Sequence, residues 1–159
     1  MIVKVGTGGS VSFYDAKGHT DVVADVAGWF TDGTTSAGGS LFLGVTPARI
    51  LDTRSTTSVG PGSTRVLTVA GRGGLPAMGD AVPPTAVVLN VTVTNPTANS
   101  FLTVWPDGST RPLTSDLNYR PGLTVPNLVV VRVGGSGAID LYNAAGSADV
   151  IVDVVGWYG

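Results

Sequence analysis

Hydrophobic and polar residues alternate along much of the chain with the two-residue period of a β-strand. In residues 87–94, VVLNVTVT, one face carries Val87, Leu89, Val91 and Val93, and the residues between them form the other face. One face of such a strand is expected to be buried and the other to be wetter. Gly, Pro and Asn residues typical of turns separate the strands, and no stretch shows the period of a helix.

The alternation predicts a succession of short strands in the last three quarters of the chain. They are expected near residues 42–45, 48–53, 64–70, 85–94, 100–106, 115–119, 128–133, 138–143 and 148–157. Strands at this spacing, without helices, are typical of an antiparallel β-sandwich of Greek-key or jelly-roll type. A β-trefoil is the alternative, since residues 86–119 and 127–158 could be weakly related parts of a pseudo-symmetric fold, but the strands are too few for it.

The last part of the chain repeats a segment near its start. Residues 3–30 and 131–158 align without a gap at an offset of 128, and 13 of the 27 positions from Val3 to Trp29 are identical. Such similarity is not expected by chance, so the two segments are copies of one structural unit.

The repeat divides the chain into three predicted parts. Residues 1–30 are expected to be the C-terminal strands of a preceding repeat unit, and residues 41–159 a complete β-sandwich unit. Residues 31–40 between them are rich in Gly, Ser and Thr, which is the composition of a flexible linker.

The first copy is predicted to need a partner, because strands without their sheet leave backbone groups unpaired and an apolar face uncovered. Residues 3–30 are expected either to complete the following unit or to dock on an adjoining copy of the chain, which would give head-to-tail assembly. The alternative is that the chain is an excerpt whose boundary falls inside a repeat.

Composition supports strands and removes most catalytic chemistry. The 159 residues include 25 Val, 19 Thr and 23 Gly, but no Glu, Gln or Cys and only two Lys. Val and Thr suit a pleated surface, whereas Glu, Gln and Lys are typical of solvated helix faces. With a single His, the eleven Asp are nearly the only side chains that titrate near neutral or acid pH. We expect no enzymatic activity, although a pair of Asp acting as acid and base remains open.

Charge and hydropathy indicate which classes of partner are not expected for this chain. The net charge is −2 and the Arg residues are scattered, so neither nucleic acid nor an anionic membrane surface is an expected partner. The longest apolar runs, such as Leu128 to Val131, are far too short to cross a bilayer.

Five motifs follow one another through the second part of the chain. They are PARILDTR at residues 47–54, NVTVTNPT at 90–97, FLTVWPDG at 101–108, PNLV at 126–129 and DVVGWY at 153–158. Together they resemble the repeat modules of large secreted and cell-surface proteins of actinobacteria. The resemblance covers residues 41–159 and, as a last third, residues 3–30. It implies an extracellular or cell-surface location within a larger exported protein and a non-catalytic structural, adhesive or accessory role.

Two Asp residues spaced by four are the candidate metal ligands. Asp149 and Asp153, like Asp21 and Asp25 in the first copy, place both carboxylates on one side of a strand. With turn carbonyls they could hold Ca²⁺, which takes six to eight oxygen ligands. The spacing shows no further ligands, so capping of turn amides or pairing with Arg is the favoured interpretation, and no cofactor is expected.

A structural ion pair is predicted in the LDTR motif. Asp52 and Arg54 share a strand face, and Arg49 lies close by in the sequence. A hydrogen-bonded ion pair that closes the end of the sandwich is favoured over an active site.

Trp105, Asp107 and Tyr119 are the candidate ligand-binding residues, because an exposed ring stacks on a sugar face while a neighbouring carboxylate binds hydroxyls. Trp105 lies beside a turn and is the best candidate for exposure, although packing on the neighbouring hairpin is favoured. Trp29 and Trp157 are expected in a core or at a junction between domains.

Two functional classes remain: a structural or adhesive repeat, and a carbohydrate-binding module that brings a secreted hydrolase to its polymer. Exposed aromatic residues clustered on one face favour the carbohydrate-binding module. Aromatic residues buried in the core or between units favour the structural repeat.

Overall fold

The computed structural model describes residues 3–30 and 38–159, and its regular elements are eight β-strands. Their bounds are β1 Phe42–Asp52, β2 Ser63–Thr68, β3 Ala86–Thr94, β4 Ser100–Pro106, β5 Leu117–Tyr119, β6 Val125–Arg132, β7 Ala138–Asn143 and β8 Asp149–Tyr158. In the described part of the chain no helix is long and apolar enough to cross a membrane.

The strands form two antiparallel sheets of four. Sheet 1 has the order β1-β8-β3-β6 and sheet 2 has the order β2-β7-β4-β5. The first strand pairs with the last, the second with the seventh, the third with the sixth and the fourth with the fifth. Folding a long hairpin over into two layers gives this order, which is that of a jelly roll. The predicted antiparallel sandwich is confirmed, and the β-trefoil alternative is wrong.

The expected strands differ from those observed in two places. The segments 42–45 and 48–53 form the single strand β1, because two irregularities in its register let it continue along β8 past Pro47. The expected strand 115–119 is reduced to the three residues of β5. Asp116 leaves the ladder because its N–H and its carboxylate both bond to the backbone of β4, at Leu102 and Val104.

The core lies between the two sheets and is built by the alternating residues. Val87, Leu89, Val91 and Val93 of β3 are all fully buried, as the alternation predicts. The inward residues of β8 behave in the same way, and Val150, Val152 and Val154 are 0% exposed. Burial of each such side chain stabilises the fold by about 1.5–3 kcal/mol.

Gly156 allows the first and last strands of sheet 1 to approach each other. A Cβ at this position would collide with the Phe42 ring and lie 2.9 Å from the carbonyl oxygen of Leu43. The Phe42 ring in turn packs against Tyr158, with ring centroids 5.3 Å apart. The Gly-Trp-aromatic ending of residues 131–158 therefore reflects packing, and Gly28 is the counterpart of Gly156 in the first copy.

The first copy, residues 3–30, forms no strand, and each of its residues is exposed. Its backbone makes a turn in which Gly6 and Ser10 are hydrogen-bonded at 2.9 Å. That these residues are the last strands of a preceding unit therefore stays a prediction. Of the predicted linker 31–40, residues 31–37 lie outside the described residues, and residues 38–40 carry no regular structure.

Candidate functional site

A chain of four charged residues lies on the outer face of sheet 1. Arg54 donates from Nε and Nη2 to the two carboxylate oxygens of Asp52, at 3.0 and 2.6 Å. Arg49 donates to Asp52 at 3.3 Å and to both oxygens of Asp153 at 2.9 and 3.2 Å. The ion pair expected between Asp52 and Arg54 is therefore present, and it forms one end of a larger network.

The network shifts the pKa of its members but is open to solvent. The hydrogen bond from Arg54 lowers the pKa of Asp52 far below its usual range, and the hydrogen bond to Asp153 raises the pKa of Arg49. The two Arg side chains are about half exposed, so water screens their attraction. The network therefore serves mainly to position the edge strand β1 on β8, and it contributes little to the free energy of unfolding.

Asp149 is surrounded by hydrogen-bond donors. Its Oδ1 accepts from Ser58 Oγ at 2.7 Å and from Thr53 Oγ1 at 3.2 Å, and its Oδ2 accepts from Asn95 Nδ2 at 2.9 Å. Burial by itself would raise the pKa of Asp149, but these three hydrogen bonds outweigh it and lower the pKa. Asp149 thus joins the start of β8 to the loops that follow β1 and β3.

The structure does not bring Asp149 and Asp153 together around one cation. They lie on the same face of β8, as expected, but four residues along a strand correspond to about 13 Å, whereas Ca²⁺ holds its ligands at about 2.3–2.6 Å. Within residues 3–30 and 38–159 no group of three or more His, Cys or Asp side chains is placed to hold a metal. Asp149 and Asp153 instead belong to two separate hydrogen-bonded sites. The absence of a cofactor stays a prediction.

Trp105 is packed against the protein, which agrees with the favoured interpretation of the sequence. Its side chain is buried, and its Nε1–H donates to the carbonyl oxygen of Ser109 at 3.0 Å. The loop after β4 folds back over sheet 2, where Thr103 donates to the Thr114 carbonyl and the Arg111 guanidinium lies 3.6 Å from the centroid of the Tyr142 ring. The Trp105 ring therefore offers no face to a sugar.

Tyr119 is also buried, and it contacts a polar residue inside the sandwich. Its phenol O–H donates to Oδ1 of Asn143 at 2.7 Å, and burial raises the pKa of this phenol. Asn143 is 0% exposed and also accepts from Ser100 Oγ at 2.9 Å. Its Nδ2 donates to the carbonyl oxygens of Val59 and Gly60 in one loop, and of Gly146 in another, at 2.8, 3.2 and 2.8 Å.

Asp107 is the one candidate ligand-binding residue that borders a cleft. It accepts from Ser136 Oγ at 2.6 Å and lines a surface cleft of about 520 Å³ together with Arg132. The residues described at the wall of this cleft include no aromatic side chain. In neighbouring β7, Asp140 has a buried carboxylate oxygen without a partner, and burial, followed by the charge of Asp107, raises the pKa of Asp140.

The two copies of the repeat differ in whether their side chains are covered. Trp157 belongs to the core, as expected, while its counterpart Trp29 is 69% exposed. The same contrast holds for Val26 and Val154, at 89% and 0% exposed. Side chains of one sequence pattern are thus buried in residues 131–158 and open to solvent in residues 3–30.

Three polar residues that the sequence did not single out are central to the structure. Asn143 could have been found, because it follows Ile139 and Leu141 on the inward face of an alternating strand, where a polar residue needs partners. Asn95 precedes a Pro and adopts a positive φ of 51°, which Asn tolerates better than most residues. Thr53 gave no comparable signal, since its partners Asp149 and Val150 are distant in sequence.

No protein-family model matches the chain, and a search of characterised proteins finds no relative. The jelly roll hosts many unrelated functions, so the fold alone does not indicate one. Function is therefore argued from the arrangement of the residues.

Proposed function

We propose that this protein is a non-catalytic structural or adhesive repeat module of an extracellular, cell-surface protein, joined head to tail to a neighbouring sandwich through residues 3–30. One observation carries the proposal. The chain holds the sequence of β7 and β8 twice but that of β1 to β6 once, and the unpaired copy exposes the side chains that the paired copy buries.

The position of β7 and β8 in the sandwich explains what the first copy can supply. β8 lies between β1 and β3 in sheet 1, and β7 lies between β2 and β4 in sheet 2. A sandwich without these strands would have each of its sheets split into separate pieces. Residues 3–30 contain the counterpart of one central strand for each sheet, so they can close a neighbouring sandwich that lacks both.

Polar residues retained in the first copy indicate the kind of neighbour. Asp21 and Asp25 stand at the positions of Asp149 and Asp153, whose hydrogen-bond donors come from β1, from the loop that follows it and from the loop after β3. Carboxylates at these two positions need comparable donors in the neighbour. The neighbour is therefore a sandwich of the same class.

The motifs and the inventory of side chains support the proposed location and the absence of catalysis. The ordered motifs resemble those of exported repeat proteins, which supports an extracellular location. The charged residues of the sheets, Asp52, Asp149 and Asp153, have partners that serve packing. A scaffold role accounts for them without a substrate.

An extended chain tests the proposal. Residues 41–130 are placed before Val3, in the order in which they precede Val131 in the natural chain. We expect residues 3–30 to close the added sandwich, so that Trp29 becomes inaccessible to acrylamide quenching and the amides of residues 10–30 become protected from hydrogen exchange. The matched control carries Val22→Asp and Val26→Asp, which cannot be buried. Equal quenching of Trp29 in the extended chain, its control and the natural chain would contradict the proposal.

The cleft beside Asp107 favours a second candidate function, a carbohydrate-binding accessory module of a secreted hydrolase. Carboxylate, guanidinium and hydroxyl groups meet there and could bind sugar hydroxyls without a stacking ring. A glycan array tests this candidate. Binding that is lost in Asp107→Ala supports it, and the absence of binding to any glycan counts against it.

A further inference from the structure

The first copy differs from residues 131–158 at four positions that are 0% exposed in the sandwich. They are Ile139, Leu141, Asn143 and Val152. Their counterparts in the first copy are Val11, Phe13, Asp15 and Ala24. These four differences decide how well residues 3–30 could fit the place that residues 131–158 occupy, which we call the β7–β8 slot.

The polar difference is at the end of β7. The amide nitrogen of Asn143 faces three carbonyl oxygens, from Val59, Gly60 and Gly146. Because carbonyl oxygens only accept hydrogen bonds, the nitrogen and not the oxygen of the amide must point toward them. Asn143 thus supplies donors to two loops at a position that is 0% exposed.

An Asp in this position cannot do the same. Its ionised carboxylate carries no hydrogen, so Asp15 would set a buried negative charge against the carbonyls of Val59 and Gly60. The carbonyls of Val59 and Gly60 would keep only their backbone donors, the N–H groups of Ala148 and Ser63. One carboxylate oxygen would keep the Ser100 and Tyr119 hydroxyls, but the other would gain no donor. Asp15 therefore disfavours the β7–β8 slot of this sandwich, although it suits a slot that offers donors to both carboxylate oxygens.

The apolar differences add a misfit of shape. Phe13 is larger than Leu141, and Ala24 is smaller than Val152, at sites where the sandwich is closely packed. Overpacking at one site and a cavity at the other both reduce stability.

The turn between the two strands has the same glycine in both copies. Gly18 and Gly146 both adopt a positive φ, of 81° and 59°. A Cβ at Gly146 would collide with the turn that contains Ala98. The first copy therefore keeps the glycine that the turn between β7 and β8 requires, and it differs in what it requires from the loop opposite residue 15.

We infer that residues 3–30 close a sandwich of the same class but of different sequence, one that presents backbone N–H groups or a Lys or Arg side chain toward Asp15. This inference rests on the proposed function and names the partner within it. In this sandwich Val59 and Gly60 present carbonyls instead, and copies of this chain are thereby kept from exchanging their β7 and β8 strands. Position 15 in one copy and position 143 in the other determine which sandwich each copy closes.

Disulfide trapping in the full chain tests the inference, since the natural sequence contains no Cys. Thr64 of β2 lies directly opposite Tyr142 of β7. The pair Thr64→Cys with Tyr142→Cys reports the natural occupant of the slot, and Thr64→Cys with Tyr14→Cys reports occupancy by the first copy. Thr64→Cys with Ser10→Cys is out of register and measures random encounters. Each protein is refolded in a glutathione buffer, and the disulfide is quantified by peptide mapping.

With Asp15 in place we expect the disulfide between positions 14 and 64 to stay at the level of the out-of-register pair. Asp15→Asn should raise its yield about tenfold, since pairing a buried polar group changes a population by a factor of this order. Asp25→Asn changes the net charge equally but removes the carboxylate that would take the place of Asp153 beside Arg49, so it should not raise the yield. Both Asp→Asn substitutions lie in an exposed segment and leave the sandwich intact.

Three results would overturn the inference: a 14–64 yield with Asp15 that equals the 64–142 yield, no increase in Asp15→Asn, or the same increase in Asp25→Asn. The extended chain separates the inference from the proposed function. Burial of Trp29 in that chain supports the proposed function whichever residue stands at position 15. If the added sandwich closes in this way, Asp15→Asn should raise its urea midpoint.

Discussion

Arg49 and Asp52 face the same side of β1 although they are three residues apart. In a regular strand they would point to opposite faces. The shift in register between Arg49 and Leu51 inserts an extra residue opposite β8, and beyond it Asp52 faces outward as Arg49 does. Ile50 at the bulge is buried in the core. The bulge thus turns two separate ion pairs into one network.

This network should make the protein sensitive to acid. The pKa of Asp52 is lowered in the folded state, so its contribution to stability is complete above the pKa of the unfolded chain, about 3.9, and is lost as the pH falls through the lowered pKa. Urea unfolding from about pH 7 to about pH 2 should show a loss of stability that is smaller in Asp52→Asn. An identical pH dependence in the two proteins would show that Asp52 does not contribute.

Asn143→Asp should destabilise the sandwich strongly. The substitution leaves the carbonyl of Gly146 without its donor and that of Val59 with only the N–H of Ala148, and an unpaired buried polar group costs about 1–3 kcal/mol. We expect the free energy of unfolding at neutral pH to fall by about 3 kcal/mol or more, and part of it to return in acid, where the introduced carboxyl is protonated. Asn118→Asp, at an exposed position, is the control and should change little. Similar losses in both variants would contradict the role given to Asn143.

Asp140→Asn should stabilise the protein at neutral pH. One Asp140 oxygen is buried without a donor, and burial raises its pKa, so the wild type should lose stability as the pH rises through that pKa. Removal of the charge should increase the free energy of unfolding by about 1 kcal/mol. It should also flatten the pH dependence measured by urea unfolding. A less stable variant with unchanged pH dependence would indicate that the carboxylate has a partner.

Gly156→Ala should destabilise sheet 1, because its methyl group would meet the Phe42 ring and the Leu43 carbonyl. The expected loss in the free energy of unfolding is about 1–3 kcal/mol, as for other overpacked sites. Gly79→Ala is a matched control, since a Cβ there meets no atom within 4 Å. Phe42→Ala should recover part of the loss in the double variant. Equal stability of the two Gly variants would show that the strands can separate at no cost.

Removal of residues 1–40 should leave the sandwich folded, because each described residue of the first copy is exposed. We expect the same urea midpoint for the full and the shortened chain. Light scattering on both should show that any association of the full chain is lost on shortening, since half of the large apolar side chains that are exposed in the described residues lie in the removed segment. A lower midpoint for the shortened chain would mean that residues 3–30 pack on the sandwich of their own chain.

Alternation, turn residues and the repeat were enough to predict much of this molecule. The positions of most strands follow from the period of two. In β3, for example, every second residue from Val87 to Val93 points inward. Local patterns carry this information because the side chains of a strand alternate whatever it pairs with. The burial of Trp157 and the ion pair of Asp52 with Arg54 could be predicted for the same reason.

What the sequence by itself determined is a β-sandwich with a duplicated strand pair; what only the tertiary structure decided is how polar groups meet across it. Arg49 reaches Asp153, and Asn143 reaches Val59, over 104 and 84 residues of chain. No local period encodes such contacts, since they depend on the order of strands in the two sheets and on a bulge. The same long-range contacts make Asp15 a misfit where Asn143 fits.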